Sequence, residues 1–142
     1  MPASAKAAPV LVDTSAAVAL VLTDHELHEA ALASLRARPR GLAGHAAFET
    51  FSVLTRLPAP ARLTAAAVTR LFAATFPETK FLSASAAASL LAQLGTAGIS
   101  GGAVYDALVG ASAKEHGLPL VTCDRRALDV YRALDVDVEL LA

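Results

Sequence analysis

The sequence predicts an α/β fold in which a mainly parallel central sheet carries helices on both faces. Two runs, Val10-Leu11-Val12 and the mostly apolar 118–123, lack the alternation of strands with one wet face, and each passes at once into a helix signature. At 142 residues and 55% hydrophobic composition, the chain is long enough to bury one core and short for two. Short buried strands alternating with helices select the layered α/β class.

The elements follow in chain order. Pro9 leads into a strand over 10–12 that stops at Asp13, and Thr14 or Ser15 is placed to cap a helix over 16–22. Thr23-Asp24-His25-Glu26 has capping-box spacing, so a second helix is expected to run to about residue 37 and stop before Pro39. An extended piece or turn at 41–44 precedes a helix over 45–57, which Pro58 and Pro60 end. A helical apolar period covers 63–76, residues 80–82 read as a short strand, and Ser83 or Ser85 caps a helix to about residue 94. Gly95, Gly98, Gly101 and Gly102 mark a flexible turn. A helix over 103–116 ends on Gly117, 118–123 is a buried strand, Asp124 caps a helix over 125–134, and 136–140 reads as an edge strand. Residues 1–9 are expected to be a disordered N-terminal segment and 10–142 a single domain, without repeat, low-complexity tract or linker.

Composition narrows the function classes. Cys123 is the one cysteine, which excludes an intramolecular disulfide and a cysteine-rich zinc site and fits a reducing cytoplasm. Asp13 interrupts the first apolar run, which is wrong for a signal-peptide core. The charge-free stretch 81–105 is broken by serines, Gln93, Thr96 and glycines, so it reads as buried soluble structure, with no membrane role. The formal charge of −1 gives no basic excess over the whole protein. If four of the 13 acidic groups are gathered in one site, however, the 12 basic groups outnumber the acids left elsewhere. That leaves room for phosphate contacts at Arg36, Arg38, Arg40, Arg125 and Arg126, which equally suit an ordinary solvated surface.

Four carboxylates carry the chemistry. Asp106 has Gly102, Ala103, Val109, Gly110 and Ala113 as its helix-face neighbours, all small or apolar. A carboxylate there is desolvated and requires a cation or a strong donor, the plain alternative being a cap near the helix start. Asp13 and Asp124 each end a buried strand, at the sheet edge where open α/β folds bind ligands, although each is equally placed to cap the next helix. Glu49 shares a helix stripe with His45, Ser52 and Arg56 that could simply face water, and only the company of the aspartates makes it a site residue. Such a cluster suits hard divalent ions with oxygen ligands, and hence hydrolysis of a phosphodiester through one or two Mg²⁺ or Mn²⁺ ions. The sequence has no G-x-x-x-x-G-K-[ST], H-E-x-x-H or G-x-S-x-G, and its glycines at 98–102 lack the context of a dinucleotide fingerprint.

Together, Val10-Leu11-Val12-Asp13-Thr14-Ser15, Glu49, Tyr105-Asp106-Ala107-Leu108-Val109 and Leu120-Val121-Thr122-Cys123-Asp124 resemble the PIN-domain ribonucleases, in particular the VapC-type toxins of toxin–antitoxin pairs. The resemblance covers about residues 10 to 140 and implies a PIN-like three-layer α/β/α fold. It also implies a Mg²⁺-dependent endoribonuclease that acts on RNA, forms a homodimer and is silenced by a VapB-like antitoxin. Asp13, Glu49, Asp106 and Asp124 match its acidic positions, and Ser15 and Thr122 match the hydroxyls that support the first and last aspartates. Helices at about 26–37 and 63–76 look apolar enough to bind the antitoxin. Rival readings are a PIN-domain RNA-processing nuclease that is not a toxin, a receiver-like signalling domain and a pure interaction module. A receiver would need paired acids after the first strand and a lysine after a late one, which this chain lacks.

Overall fold

The computed structural model describes residues 8–142. The expected N-terminal segment therefore lies, from 1 to 7, outside the described residues. In order the elements are β1 (Val10–Val12), α1 (Thr14–Val21), α2 (His28–Leu35), β2 (Arg40–Leu42), α3 (His45–Thr55) and α4 (Ala65–Thr75). They continue with α5 (Ala84–Ala97), α6 (Ala103–His116), β3 (Leu120–Thr122), a 3₁₀ turn (Arg125–Ala127), α7 (Leu128–Ala133) and β4 (Val138–Leu140).

Successive strand residues point to opposite faces, and here both faces are aliphatic. Val10, Val12 and Val121 join Ala16, Leu20, Ala31 and Leu35 in one cluster, while Leu11 and Leu120 join Val109, Ala113 and Tyr131 in another. Helices α1 and α2 thus cover one face and α6 and α7 the other, giving the three layers. Full burial of each such leucine or valine contributes about 1.5–3 kcal/mol, so strands of three residues are held by their side chains more than by their ladders.

The four strands run in the order β2-β1-β3-β4, all parallel. The chain leaves β1 for β2 on one side and later returns to β3 on the other, so the strand order switches between β1 and β3. The crevice beyond their carboxyl ends is where such sheets bind ligands. Because Val12 is in register with Val121, Asp13 and Cys123-Asp124 emerge side by side at that point.

Several local expectations fail for identifiable reasons. Helix α1 is capped by Asp13, whose Oδ1 accepts from the Ala16 N–H, so neither Thr14 nor Ser15 fills that role. The capping box at Thr23–Glu26 does not form. Instead His25 Nδ1 accepts the Leu27 N–H at 3.0 Å, turns occupy 23–27, and α2 starts only at His28. Gly95 lies inside α5, which continues to Ala97. Residues 80–82 form no strand, only a parallel bridge from Lys80 to Ala43. In α2 and α4 the larger apolar residues turn inward, with Leu35 and Val68 fully buried and Phe72 packed on the core, while Ala65, Ala66, Ala73 and Ala74 of α4 stay exposed. The exposed large apolar side chains are instead Phe48, Phe81, Leu91 and Tyr105. Among the described residues no helix is long and apolar enough to cross a membrane.

Candidate active site

Asp13 is 4% exposed, and its carboxylate is held on both oxygens. Oδ1 accepts from Ser15 Oγ at 2.6 Å and from the Ala16 N–H at 3.0 Å, while Oδ2 accepts from the Tyr131 hydroxyl at 2.9 Å. Burial nevertheless pushes its pKa above the ordinary carboxylate value, against the pull of hydrogen bonds from Ser15, Thr122, Ala16 and Tyr131.

Asp124 follows β3 and caps the 3₁₀ turn, its Oδ1 accepting from the Arg126 N–H at 2.9 Å. A hydroxyl pair links the two strand ends. Ser15 Oγ lies 3.3 Å from Thr122 Oγ1, Thr122 Oγ1 accepts the Asp124 N–H at 3.0 Å, and Ser15 Oγ accepts the Cys123 N–H at 2.8 Å. Both aspartates are therefore caps, as the plain structural alternative held, and both also face the crevice. Capping and facing the crevice are compatible here.

Asp106, in the first turn of α6, is half-buried. Its pKa is raised first by burial and then by the charges of Asp124, Asp13 and Glu49, with Arg126 opposing. Those three carboxylates are thus its electrostatic neighbours. Glu49 reaches the crevice from α3, where His45 Nε2 stands 3.4 Å from its Oε1 and the His45 ring stacks on Tyr105 at 5.1 Å between centroids.

Asp13, Glu49, Asp106 and Asp124 line one pocket of about 90 Å³, together with Thr14, Ser15 and Tyr131. Among the described residues no three His, Cys, Asp or Glu side chains stand close enough to form a ready-made metal cage. The four carboxylates share a pocket without closing on one point. The donor set is nevertheless all hard oxygen, and Thr14 Oγ1 at the same pocket is buried without a hydrogen-bond partner. A larger pocket of about 560 Å³, lined by Leu82, Leu90, Lys114, Glu115, Leu134 and Asp135, gathers none of the four.

A family model for the PIN domain matches residues 10–133. The chain belongs to the PIN-domain family. It is 42% identical over 134 residues to Ribonuclease VapC27 of Mycobacterium tuberculosis, covering 94% of this chain and 98% of the relative. It is 45% identical over 131 residues to Ribonuclease VapC40 of Mycobacterium tuberculosis, covering 91% and 96%. Among solved structures it is similar to a chain of FitAcB from Neisseria gonorrhoeae, with a TM-score of 0.64, 20% identity and 91% and 95% coverage. It is also similar to PAE2754 from Pyrobaculum aerophilum, with a TM-score of 0.53, 23% identity and 89% and 90% coverage. At those identities the structural likeness is one of fold, and it agrees with the layered architecture expected of a PIN domain.

Two features in and beside the pocket escaped the sequence. Tyr131 lies 118 residues from Asp13, and the signal for it was a tyrosine among the apolar residues of a helix, whose hydroxyl must find a partner once buried. The stacking of His45 on Tyr105 depends on how α3 meets α6, which no local pattern encodes. Of the five arginines Arg36, Arg38, Arg40, Arg125 and Arg126, three are already engaged, Arg126 through a long contact of its Nε with Asp124 Oδ1 at 3.4 Å. Arg38 forms a bidentate pair with Glu139 at 2.9 and 3.1 Å, and Arg40 donates to the Leu35 and Arg38 carbonyls. Arg126, beside Asp124, is almost fully exposed.

Proposed function

We propose that this PIN-domain chain is the toxin of a type II toxin–antitoxin pair. In this reading it is a metal-dependent endoribonuclease that hydrolyses RNA at the pocket of Asp13, Glu49, Asp106 and Asp124. The observation that carries the reading is the convergence of those four carboxylates at the strand-order switch point, in a chain whose relatives are VapC ribonucleases.

Asp13 and Asp106 are the principal ligands for Mg²⁺ or Mn²⁺, with Glu49 and Asp124 completing the acidic rim. A divalent ion in that rim supplies charge neutralisation at the attacked phosphate and a more acidic water. The chain's own contribution is positional. Ser15 and Thr122 fix the strand-end aspartates, Asp106 brings a carboxylate that the other three destabilise unless a cation joins them, and Arg126 stands ready for an adjacent phosphate. The domain spans 10–142 and works in the cytoplasm. A VapB-like antitoxin silences it, and a second copy pairs with it through the exposed aromatic surface, where Phe48 and Phe81 lie 6.0 Å apart.

The test is induction of the gene in a host with and without the neighbouring open reading frame, with end-mapping of total RNA. Growth arrest and discrete new RNA ends only without the neighbour are expected. Cleavage by the purified protein with no toxicity and no co-purifying small partner would leave an RNA-processing nuclease, and no cleavage in Mg²⁺ or Mn²⁺ would remove the enzyme.

A further inference from the structure

We infer that Tyr131 is a positioning residue for this site: its hydroxyl fixes the one oxygen of Asp13 that remains free to meet a cation. The inference rests on the reading of Asp13 as a metal ligand and deepens it.

A carboxylate offers about two acceptor positions on each oxygen. Ser15 Oγ and the Ala16 N–H occupy both on Oδ1, at 2.6 and 3.0 Å. Oδ2 receives the Tyr131 hydroxyl at 2.9 Å, and the Thr122 hydroxyl, which also draws on this carboxylate, is paired with Ser15 Oγ at 3.3 Å, so one position stays open on Oδ2. Asp13 is a helix cap and cannot turn Oδ1 outward without releasing α1. The oxygen left for a ligand is therefore the one that Tyr131 holds, and the phenol settles which way its remaining lone pair faces.

The tyrosine is itself held tightly. It is 1% exposed, so it meets no substrate, and its ring packs in the second aliphatic cluster. Helix α6 comes close enough that a Cβ at Gly110 would stand 3.0 Å from Tyr131 Cδ1 and 3.4 Å from Val136 Cγ2. Glycine inside a helix costs about 1 kcal/mol relative to alanine, and the clearance it gives this ring accounts for its presence. Gly110 is also four residues after Asp106, so the helix face that presents Asp106 to the pocket is the face that admits the ring. One packing arrangement thereby sets both aspartates.

The test compares wild type, Tyr131→Phe, Gly110→Ala and Asp13→Asn by Mn²⁺ titration followed by electron paramagnetic resonance. Thermal melts in EDTA and steady-state RNA cleavage accompany it. Tyr131→Phe should melt cooperatively and lose Mn²⁺ affinity and kcat by about 10–100-fold, the range for residues that support a metal ligand, with KM for RNA unchanged. Gly110→Ala keeps the hydroxyl but crowds the ring, so it should shift Mn²⁺ affinity the same way by less. A folded Tyr131→Phe protein whose Mn²⁺ affinity stays within about twofold of wild type, well below that range, overturns the inference. If Tyr131→Phe does not fold, an unchanged affinity in Gly110→Ala overturns it instead. Loss in Asp13→Asn alone rejects the role of Tyr131 and leaves the metal site standing, whereas no loss in any variant rejects both.

Discussion

Ser15 donates its hydroxyl to Asp13 Oδ1 at 2.6 Å, and Ser15 Oγ in turn accepts the Cys123 N–H at 2.8 Å, so one side chain ties the end of β1 to the residue after β3. Ser15→Ala removes a donor from a buried carboxylate and strands a backbone N–H. Urea denaturation should show a loss of about 1–3 kcal/mol, the cost of leaving such groups unsatisfied. Cleavage should fall by about 10–100-fold, because Asp13 loses a partner that orients it. A Ser15→Ala protein with wild-type stability and activity would show that the hydroxyl is incidental.

Asp106→Asn should abolish cleavage, by more than the roughly 100-fold upper end seen for residues that only support ligands, and raise the melting temperature in EDTA. The folded-state pKa of Asp106 lies above its ordinary 3.8, through burial and then the charges of Asp124, Asp13 and Glu49. A raised carboxylate pKa adds stability fully present below the unfolded value and lost as pH rises through the folded one. At neutral pH without metal the charge is therefore a burden that asparagine relieves. The advantage of Asp106→Asn should shrink as pH falls towards 3.8. An active protein that melts lower than wild type in EDTA would return Asp106 to the role of a helix cap.

What the sequence revealed was whatever depends on neighbours along the chain. The aliphatic runs at 10–12 and 118–123, the proline stops at 58 and 60, and Gly117 closing α6 at φ 64° are local signals, and each produced its element. Two of the failures came where a side chain one or two residues from the expected cap offered the backbone a different hydrogen bond. At the start of α1 the Ala16 N–H pairs with Asp13, which is already placed by its strand, and in 23–27 the His25 ring accepts the Leu27 N–H and stabilises a turn where a capped helix start was expected. The carboxylates were legible because charges in apolar surroundings are unusual. Tyr131 and the side of β1 on which β3 returns were not, because tertiary packing alone brings residues 13 and 131 together.

Cys123 should prove dispensable for chemistry. Burial, with the charge of Asp13 adding to it, pushes the thiol up to about 11, so it stays protonated at neutral pH and is a poor nucleophile. Cys123→Ala should retain cleavage within about twofold, and the enzyme should resist thiol-alkylating reagents. Loss of activity on alkylation of wild type, absent in Cys123→Ala, would place the thiol at the site after all.

Metal affinity should fall with pH. Ligands bind in their deprotonated form, and Asp13 and Asp106 both have raised pKa values, so protons compete with metal from a higher pH than for ordinary carboxylates. EDTA should abolish cleavage, and Mg²⁺ or Mn²⁺ should restore it. Isothermal titration with Mn²⁺ should show progressive weakening as pH falls into the acidic range, and affinity that stays constant to about pH 4 would contradict the assignment of these aspartates as ligands.

Residues 78–80 run beside β2, with the Glu78 N–H donating to the Arg40 carbonyl at 3.1 Å and the Lys80 N–H to the Leu42 carbonyl at 3.2 Å. Contact this close leaves no room for a side chain between them. A Cβ on Gly41 would lie 2.0 Å from the Glu78 carbonyl carbon and 2.2 Å from the Thr79 nitrogen, and backbone cannot step aside as a flexible side chain does. Gly41→Ala should therefore destabilise by about 3 kcal/mol or more, the upper range for overpacking. The damage should spread to the site, because Gly41 pairs with Leu11 in the strand that ends at Asp13. Hydrogen exchange should show lost protection first at Leu42 and Lys80. If Gly41→Ala keeps wild-type stability, the 78–80 segment does not pack against β2 in solution as it does here.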